Sequence, residues 1–168
     1  MRPMRLARLA PLALLAGLAG CGLQPMYAGG GDGAVAHGLA AVEVAPIEGR
    51  GGWLVRNALR DRLAQSGQAA APRYRLEVLL DDDVAGLGLL TDETVGRERR
   101  TLRARYQLVD LESGVIVVDA TAGSDAGIDV VSSEFATIAA EQTALENLAT
   151  EVAERIITRL MLALRREA

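Results

Sequence analysis

The chain has 168 residues, a length that fits one domain preceded by a short processed segment. Half of it is apolar, yet Trp53, Phe135 and three tyrosines are its only aromatic residues, so the core must be aliphatic. A single cysteine excludes an intramolecular disulfide. All eighteen basic residues are arginine, and the formal charge of −4 becomes −7 once Arg2, Arg5 and Arg8 at the start are set aside. That balance is a poor one for a nucleic-acid binder, which needs a basic face to neutralise phosphates.

Arg2, Arg5 and Arg8 precede the apolar run "LAPLALLAGLAG", and together they read as an export signal over residues 1–20. The run is too short to cross a bilayer, where about 20 apolar residues are needed, and no later segment approaches that length. Leu18-Ala19-Gly20-Cys21 resembles the lipobox of bacterial lipoproteins. The resemblance implies that the leader is cut before Cys21, that the thiol takes a diacylglycerol and that the new amine is acylated. Each buried CH₂ contributes about 0.8 kcal/mol, and two or more chains hold a protein stably at a membrane. On that reading Cys21 is an anchor, not a catalyst. Neither Gly22 nor Leu23 is the Asp that tends to retain lipoproteins at the inner membrane, so the resemblance favours the periplasmic side of the outer membrane.

The stretch "GLQPMYAGGGDGAVAHG" predicts a flexible tether, placing the lipidated N-terminus and tether at 21–38 and the folded domain at 39–168. Leu39 to Ala45 reads as a first strand, stopped by Pro46. "GGWLVRNALRDRLAQSG" then changes period: Val55, Leu59 and Leu63 recur every four residues, and an amphipathic helix of about four turns follows. Trp53, off that stripe, reads as a packing residue at the helix start. In "RYRLEVLL", Tyr74, Leu76, Val78 and Leu80 alternate with Arg73, Arg75 and Glu77, and Asp81-Asp82-Asp83 with "AGLG" is expected to end the strand. Alternation resumes from about Glu93 to Val109, with Leu102, Ala104, Tyr106 and Leu108 facing in and Arg97, Arg99, Thr101, Arg103 and Arg105 facing out. "DLESG" is a turn and "VIVVDATA" the returning strand of a hairpin. One long helix, about Ser133 to Arg165, closes the chain; Ile138, Leu145, Ala149, Val152, Ile156, Leu160 and Ala163 form its narrow apolar stripe. The expected fold is α+β: a two-layer sandwich with a mainly antiparallel four-stranded sheet and two helices packed on one face.

"CGLQPMY", "TLRARYQLVDLESGVIVVDATA" and "VVSSEFATIAAEQTALENLATEVAERIITRL" resemble the LptE-type lipopolysaccharide (LPS)-assembly lipoproteins, particularly alphaproteobacterial ones, from Cys21 to about Leu164. The likeness lies in element order and diffuse patterns, not in a catalytic motif. It implies an outer-membrane protein that plugs the β-barrel LptD, assists barrel assembly and aids LPS insertion into the outer leaflet. It also implies two helices on a four-stranded sheet, and no enzyme activity, metal or cofactor.

Arg97, Arg99, Arg103 and Arg105 are candidates for contact with LPS phosphates or a barrel wall, since guanidinium groups bind phosphate by charge-assisted hydrogen bonds. The competing reading, a solvated or intramolecularly paired strand face, is the more ordinary one. Asp81-Asp82-Asp83 alternate sides on a strand and cannot converge on one cation. His37, the sole histidine, has no ligand cluster beside it, and Gly29-Gly30-Gly31 follows no strand, so neither reads as a site. Leu87, Leu89 and Leu90 in a glycine-rich turn, and Ile157, Met161 and Leu164 beside the main helical stripe, are either folded back into the core or apolar contacts for a partner. Rival functions are a binding lipoprotein accessory to an ABC-type lipid transporter, a lipoprotein enzyme, for which no acid, base or nucleophile cluster is present, and a purely structural envelope lipoprotein.

Overall fold

Period-two alternation in the middle of the chain builds a meander of three long strands, and period-four stripes on either side supply the helices that cover it. The computed structural model describes residues 33–67, 70–89 and 95–167. The export signal, Cys21, most of the expected tether and Leu90 lie outside those residues. In chain order the elements are α1 (Ala34–Ala40), β1 (Val42–Val44), α2 (Gly49–Ala64), β2 (Tyr74–Leu89), β3 (Val95–Asp110), β4 (Ile116–Asp129) and α3 (Glu134–Glu167). The fold is α+β, with three helices and a mixed four-stranded sheet in the order β1-β2-β3-β4.

Two pairings are antiparallel as expected, but β1 runs parallel to β2, with Val42, Glu43 and Val44 opposite Tyr74, Arg75 and Leu76. The parallel pairing follows from connectivity: α2 carries the chain back across the sheet, and a crossover of that kind delivers the next strand in the same direction. β1 is also shorter than the expected Leu39–Ala45, because Leu39 belongs to α1 and is buried there. The segment Ala34–Ala40 is therefore helix where a tether and a strand start were expected. A helix of seven residues is not stable alone. This one is held by packing, its Gly38 lying so close to Leu164 that an added Cβ would be 3.2 Å from Leu164 Cδ1.

Within β2 the chain does not stop at Asp81-Asp82-Asp83 or turn at "AGLG". The strand continues to Leu89, paired residue by residue with β3 from Tyr74–Asp110 to Leu89–Val95. At about 3.3 Å per residue, sixteen residues reach roughly 50 Å, far beyond an average strand. β4 also outruns the expected "VIVVDATA" and ends at Asp129.

The alternation sorts the sheet cleanly. Leu76, Leu102, Ala104, Tyr106, Leu108, Val118 and Ile128 point to the helical layer and are buried. Val55, Leu59 and Leu63 of α2 meet them, as the four-residue spacing predicts. α3 buries Leu145, Ala149, Val152, Ile156 and Leu160 of its expected stripe, and also Leu148, Ala153, Ile157, Met161 and Leu164. Its buried face is wider than one stripe because the helix packs on the sheet, on α2 and on α1 together. Ile138 departs from the expectation. It is 43% exposed, since α3 there extends past the start of α2, whose Gly51 lies level with Leu145. Trp53 is 64% exposed and does not pack the helix start. That tight start is made by Gly52 instead: a Cβ on it would come within 2.7 Å of the Ile47 carbonyl.

Candidate functional site

Among the described residues no helix covers the opposite face of the sheet, whose side chains come from the odd positions along most of β2, β3 and β4. Arg97, Arg99, Arg103 and Arg105 all stand on this face in β3, as the alternation predicts. Arginines two residues apart on a strand repel, and their surroundings decide how that repulsion is relieved. Arg97 lies directly opposite Asp129, and its Nε is 3.2 Å from Asp129 Oδ1. Arg99 lies opposite Gly127 and reaches diagonally to Asp125 at 3.8 Å. Arg105 lies opposite Thr121 and reaches diagonally to Asp119 at 3.2 Å, where the Gln107 amide also donates at 2.9 Å. The Gln107 amide and the Arg105 guanidinium hold the Asp119 carboxyl below its usual range. Exposed pairs of this kind contribute about 0–1 kcal/mol each. Their larger effect is to cancel the ladder's charge.

Arg103 is placed differently. Gly123 stands opposite it and Thr121 occupies the diagonal position that holds a carboxylate for its neighbours. Asp81 faces it from β2 in register, yet Arg103 forms no ion pair among the described residues. With no side chain on Gly123, an open groove of about 540 Å³ remains over the three strands. Leu79, Asp81, Thr101, Arg103, Thr121 and Gly123 line it, and Arg155 of α3 bounds it. Arg155 donates to the Gly123 carbonyl and to the Ser124 hydroxyl, closing the open edge of β4 at that point. The groove thus sets the guanidinium groups of Arg103, Arg105 and Arg155 beside the carboxylates of Asp81 and Asp125, with threonine hydroxyls and the exposed Leu79 between them.

Arg100, next to the ladder in sequence, points the other way. Its guanidinium donates twice to Asp82, at 2.8 and 2.7 Å, and once to the Glu141 carbonyl of α3 at 3.1 Å. The hydrogen bonds to Asp82 raise its pKa further. The acidic triplet therefore splits between faces, with Asp82 serving as a strut between sheet and helix. The sequence contains this signal in the odd–even parity of Arg99 and Arg100, but parity alone does not name the partner.

The apolar candidates resolve into the core or the strand. Ile157, Met161 and Leu164 are buried within the fold. Leu87 lies on the outer face of β2 opposite Arg97, Leu89 ends β2, and neither belongs to a turn. Among the described residues, no group of three His, Cys, Asp or Glu could hold a metal ion. No described helix is long and apolar enough to cross a membrane.

The pattern of the LptE family, described as lipopolysaccharide-assembly, matches residues 39–160 and so spans all four strands. The chain belongs to the LptE family. LptE proteins are envelope lipoproteins of LPS assembly, which is the general role of this chain. A protein of Caulobacter crescentus classed as a lipoprotein is similar in structure at 28% identity, with a TM-score of 0.63, covering 81% of this chain and 98% of its own. The fold is shared by a minor lipoprotein of Acinetobacter baumannii, at 14% identity, TM-score 0.59 and coverage of 73% and 92%. Rare lipoprotein B of Shewanella oneidensis shares it too, at 14% identity, TM-score 0.52 and coverage of 76% and 96%. No curated protein sequence matches the chain significantly.

Proposed function

We propose that this LptE-family chain works as a non-catalytic partner of an LptD-like outer-membrane β-barrel, aiding barrel assembly and LPS insertion into the outer leaflet. Residues 1–20 are removed, Cys21 is acylated, and the chain that follows links the anchor to the domain at the periplasmic side of the outer membrane. The family match across every strand carries this reading. Supporting it, the folded part is a two-layer body whose sheet has one face free of described helices.

On that face the arrangement separates two roles for the basic ladder. Arg97, Arg99 and Arg105 are engaged with Asp129, Asp125 and Asp119, so an anionic ligand has to displace a carboxylate to reach them. Arg103 forms no ion pair among the described residues, although Asp81 faces it in register, and it borders an open groove. It is the residue of the four on which LPS phosphate contact is expected to depend.

Purification of the acylated protein from membranes in mild detergent tests the reading. Recovery with a large β-barrel at equal stoichiometry is the expected result. Recovery with inner-membrane transporter subunits overturns it in favour of an accessory to an ABC-type lipid transporter. Mass spectrometry of the same preparation should find a chain starting at Cys21 with acyl chains attached.

A further inference from the structure

We propose that the end of the domain bearing the β3–β4 turn rests on the bilayer surface, with Leu111, Val115 and Ile116 in its interfacial layer. The proposal rests on the reading that Cys21 is acylated.

The chain path places this turn beside the incoming N-terminus. The residues before Gly33 lead into α1, whose Gly38 packs against Leu164 near the end of α3. The Ala41 carbonyl just after α1 accepts the N–H groups of Arg73 and Tyr74, and the Arg73 carbonyl accepts the N–H of Leu111 at 2.8 Å. The start of α1, the last turns of α3 and the β3–β4 turn thus share one end of the molecule.

The turn is built to project. Buried Asp110 accepts hydrogen bonds from the N–H groups of Glu112 and Ser113 and from the Ser113 hydroxyl, and Gly114 takes the left-handed conformation at φ 70°. Held in that shape, Leu111, Val115 and Ile116 are 41%, 59% and 49% exposed. Three large aliphatic side chains displayed together at a rigid tip are costly in water, and burial in lipid relieves that cost. The exposed Arg166, at the same end, suits anionic headgroups.

A second apolar group, around Phe135 and Ile138, is also exposed but lies toward the opposite end. The reach of the anchor distinguishes the two. The twelve residues from Cys21 to Asp32 span at most about 40 Å when fully extended. The sixteen-residue strands carry the far end roughly 50 Å away from the turn. A tether of that reach brings the β3–β4 turn to the leaflet more readily than the far end.

The test uses the full chain, exported and acylated, reconstituted into vesicles of phosphatidylethanolamine and phosphatidylglycerol. Acylation occupies the Cys21 thiol, so a polarity-sensitive fluorophore can be attached to a single new cysteine. Val115→Cys and, as a second position in the turn, Glu112→Cys are compared with Phe135→Cys. Lipids with a spin-labelled acyl chain should quench the turn positions several-fold more than position 135. Equal quenching at both ends in protein that floats with the vesicles overturns the docking alone. A blue shift at position 115 without lipid quenching means a protein partner covers the turn and also overturns it. Wild-type protein that labels at Cys21 and stays off the vesicles overturns the anchor, and the docking with it.

Discussion

Arg103 stands in register between Gly123 of β4 and Asp81 of β2, yet forms no ion pair among the described residues. The neighbouring rungs are neutralised by Asp129, Asp125 and Asp119. Replacing Arg103 with Ser should change stability by no more than about 0.5 kcal/mol, as expected for an exposed position outside any network. The same change should weaken LPS binding and flatten its salt dependence, whereas Arg97→Ser and Arg99→Ser should do so much less. Binding titrations at two ionic strengths check this, and equal effects at all three positions would overturn it.

On the helical side, Arg100 ties β2 to α3 through Asp82 and the Glu141 carbonyl. Its guanidinium is largely shielded from water and the Asp82 carboxyl partly so. Arg100→Ala should therefore cost about 2 kcal/mol, since hydrogen bonds to charged groups contribute more than neutral ones. Asp82→Ala should cost a similar amount, and the double variant much less than the sum. Urea unfolding of the three variants measures that coupling.

Gly52 is a position where no side chain fits. A Cβ would lie 2.7 Å from the Ile47 carbonyl carbon and oxygen, and backbone atoms cannot rotate out of the way. Gly52→Ala should destabilise by about 1–3 kcal/mol, the range for overpacking, despite the better helix propensity of alanine. A fall in the urea midpoint with an unchanged slope is the expected signature.

Two isoleucines of α3 offer a matched pair. Ile156 is fully buried and Ile138 is nearly half exposed, although both lie on one helical stripe. Ile156→Ala should cost about 2–5 kcal/mol and Ile138→Ala less than about 1.5 kcal/mol. Thermal melts of the two variants read the difference directly.

Acid should unfold the protein partly through two carboxylates. The Ser113 N–H, the Ser113 hydroxyl, the Glu112 N–H and Arg73 hold Asp110 below the ordinary value of 3.8, and Gln107 and Arg105 do the same for Asp119. A carboxylate depressed in the folded state adds stability above its unfolded value and loses it as pH falls through the folded one. Wild type should thus lose stability below about pH 4. Asp110→Asn and Asp119→Asn should be weaker than wild type near neutrality and lose less on acidification, as pH-dependent melting would show.

Sequence alone determined which faces of the strands are wet and which are dry. The alternation through Leu102, Ala104, Tyr106 and Leu108 put the arginine ladder outside, and the four-residue spacing of Val55, Leu59 and Leu63 named the inner face of α2. Both follow from local geometry, because strand and helix periods are properties of the backbone itself. Tertiary structure decided what lies far apart along the chain. The strand through Asp81-Asp82-Asp83 and "AGLG" exists because β3 pairs along it, overriding residues that disfavour strands locally. The seven-residue α1 exists because Leu164 packs against it, and β1 is parallel because α2 returns the chain across the sheet. Pairing across dozens of residues likewise set Arg103 between Gly123 and Asp81 with no ion pair among the described residues, while Arg97, Arg99 and Arg105 pair with Asp129, Asp125 and Asp119. Periodicity records the direction in which a side chain points; only the folded register determines what it meets there.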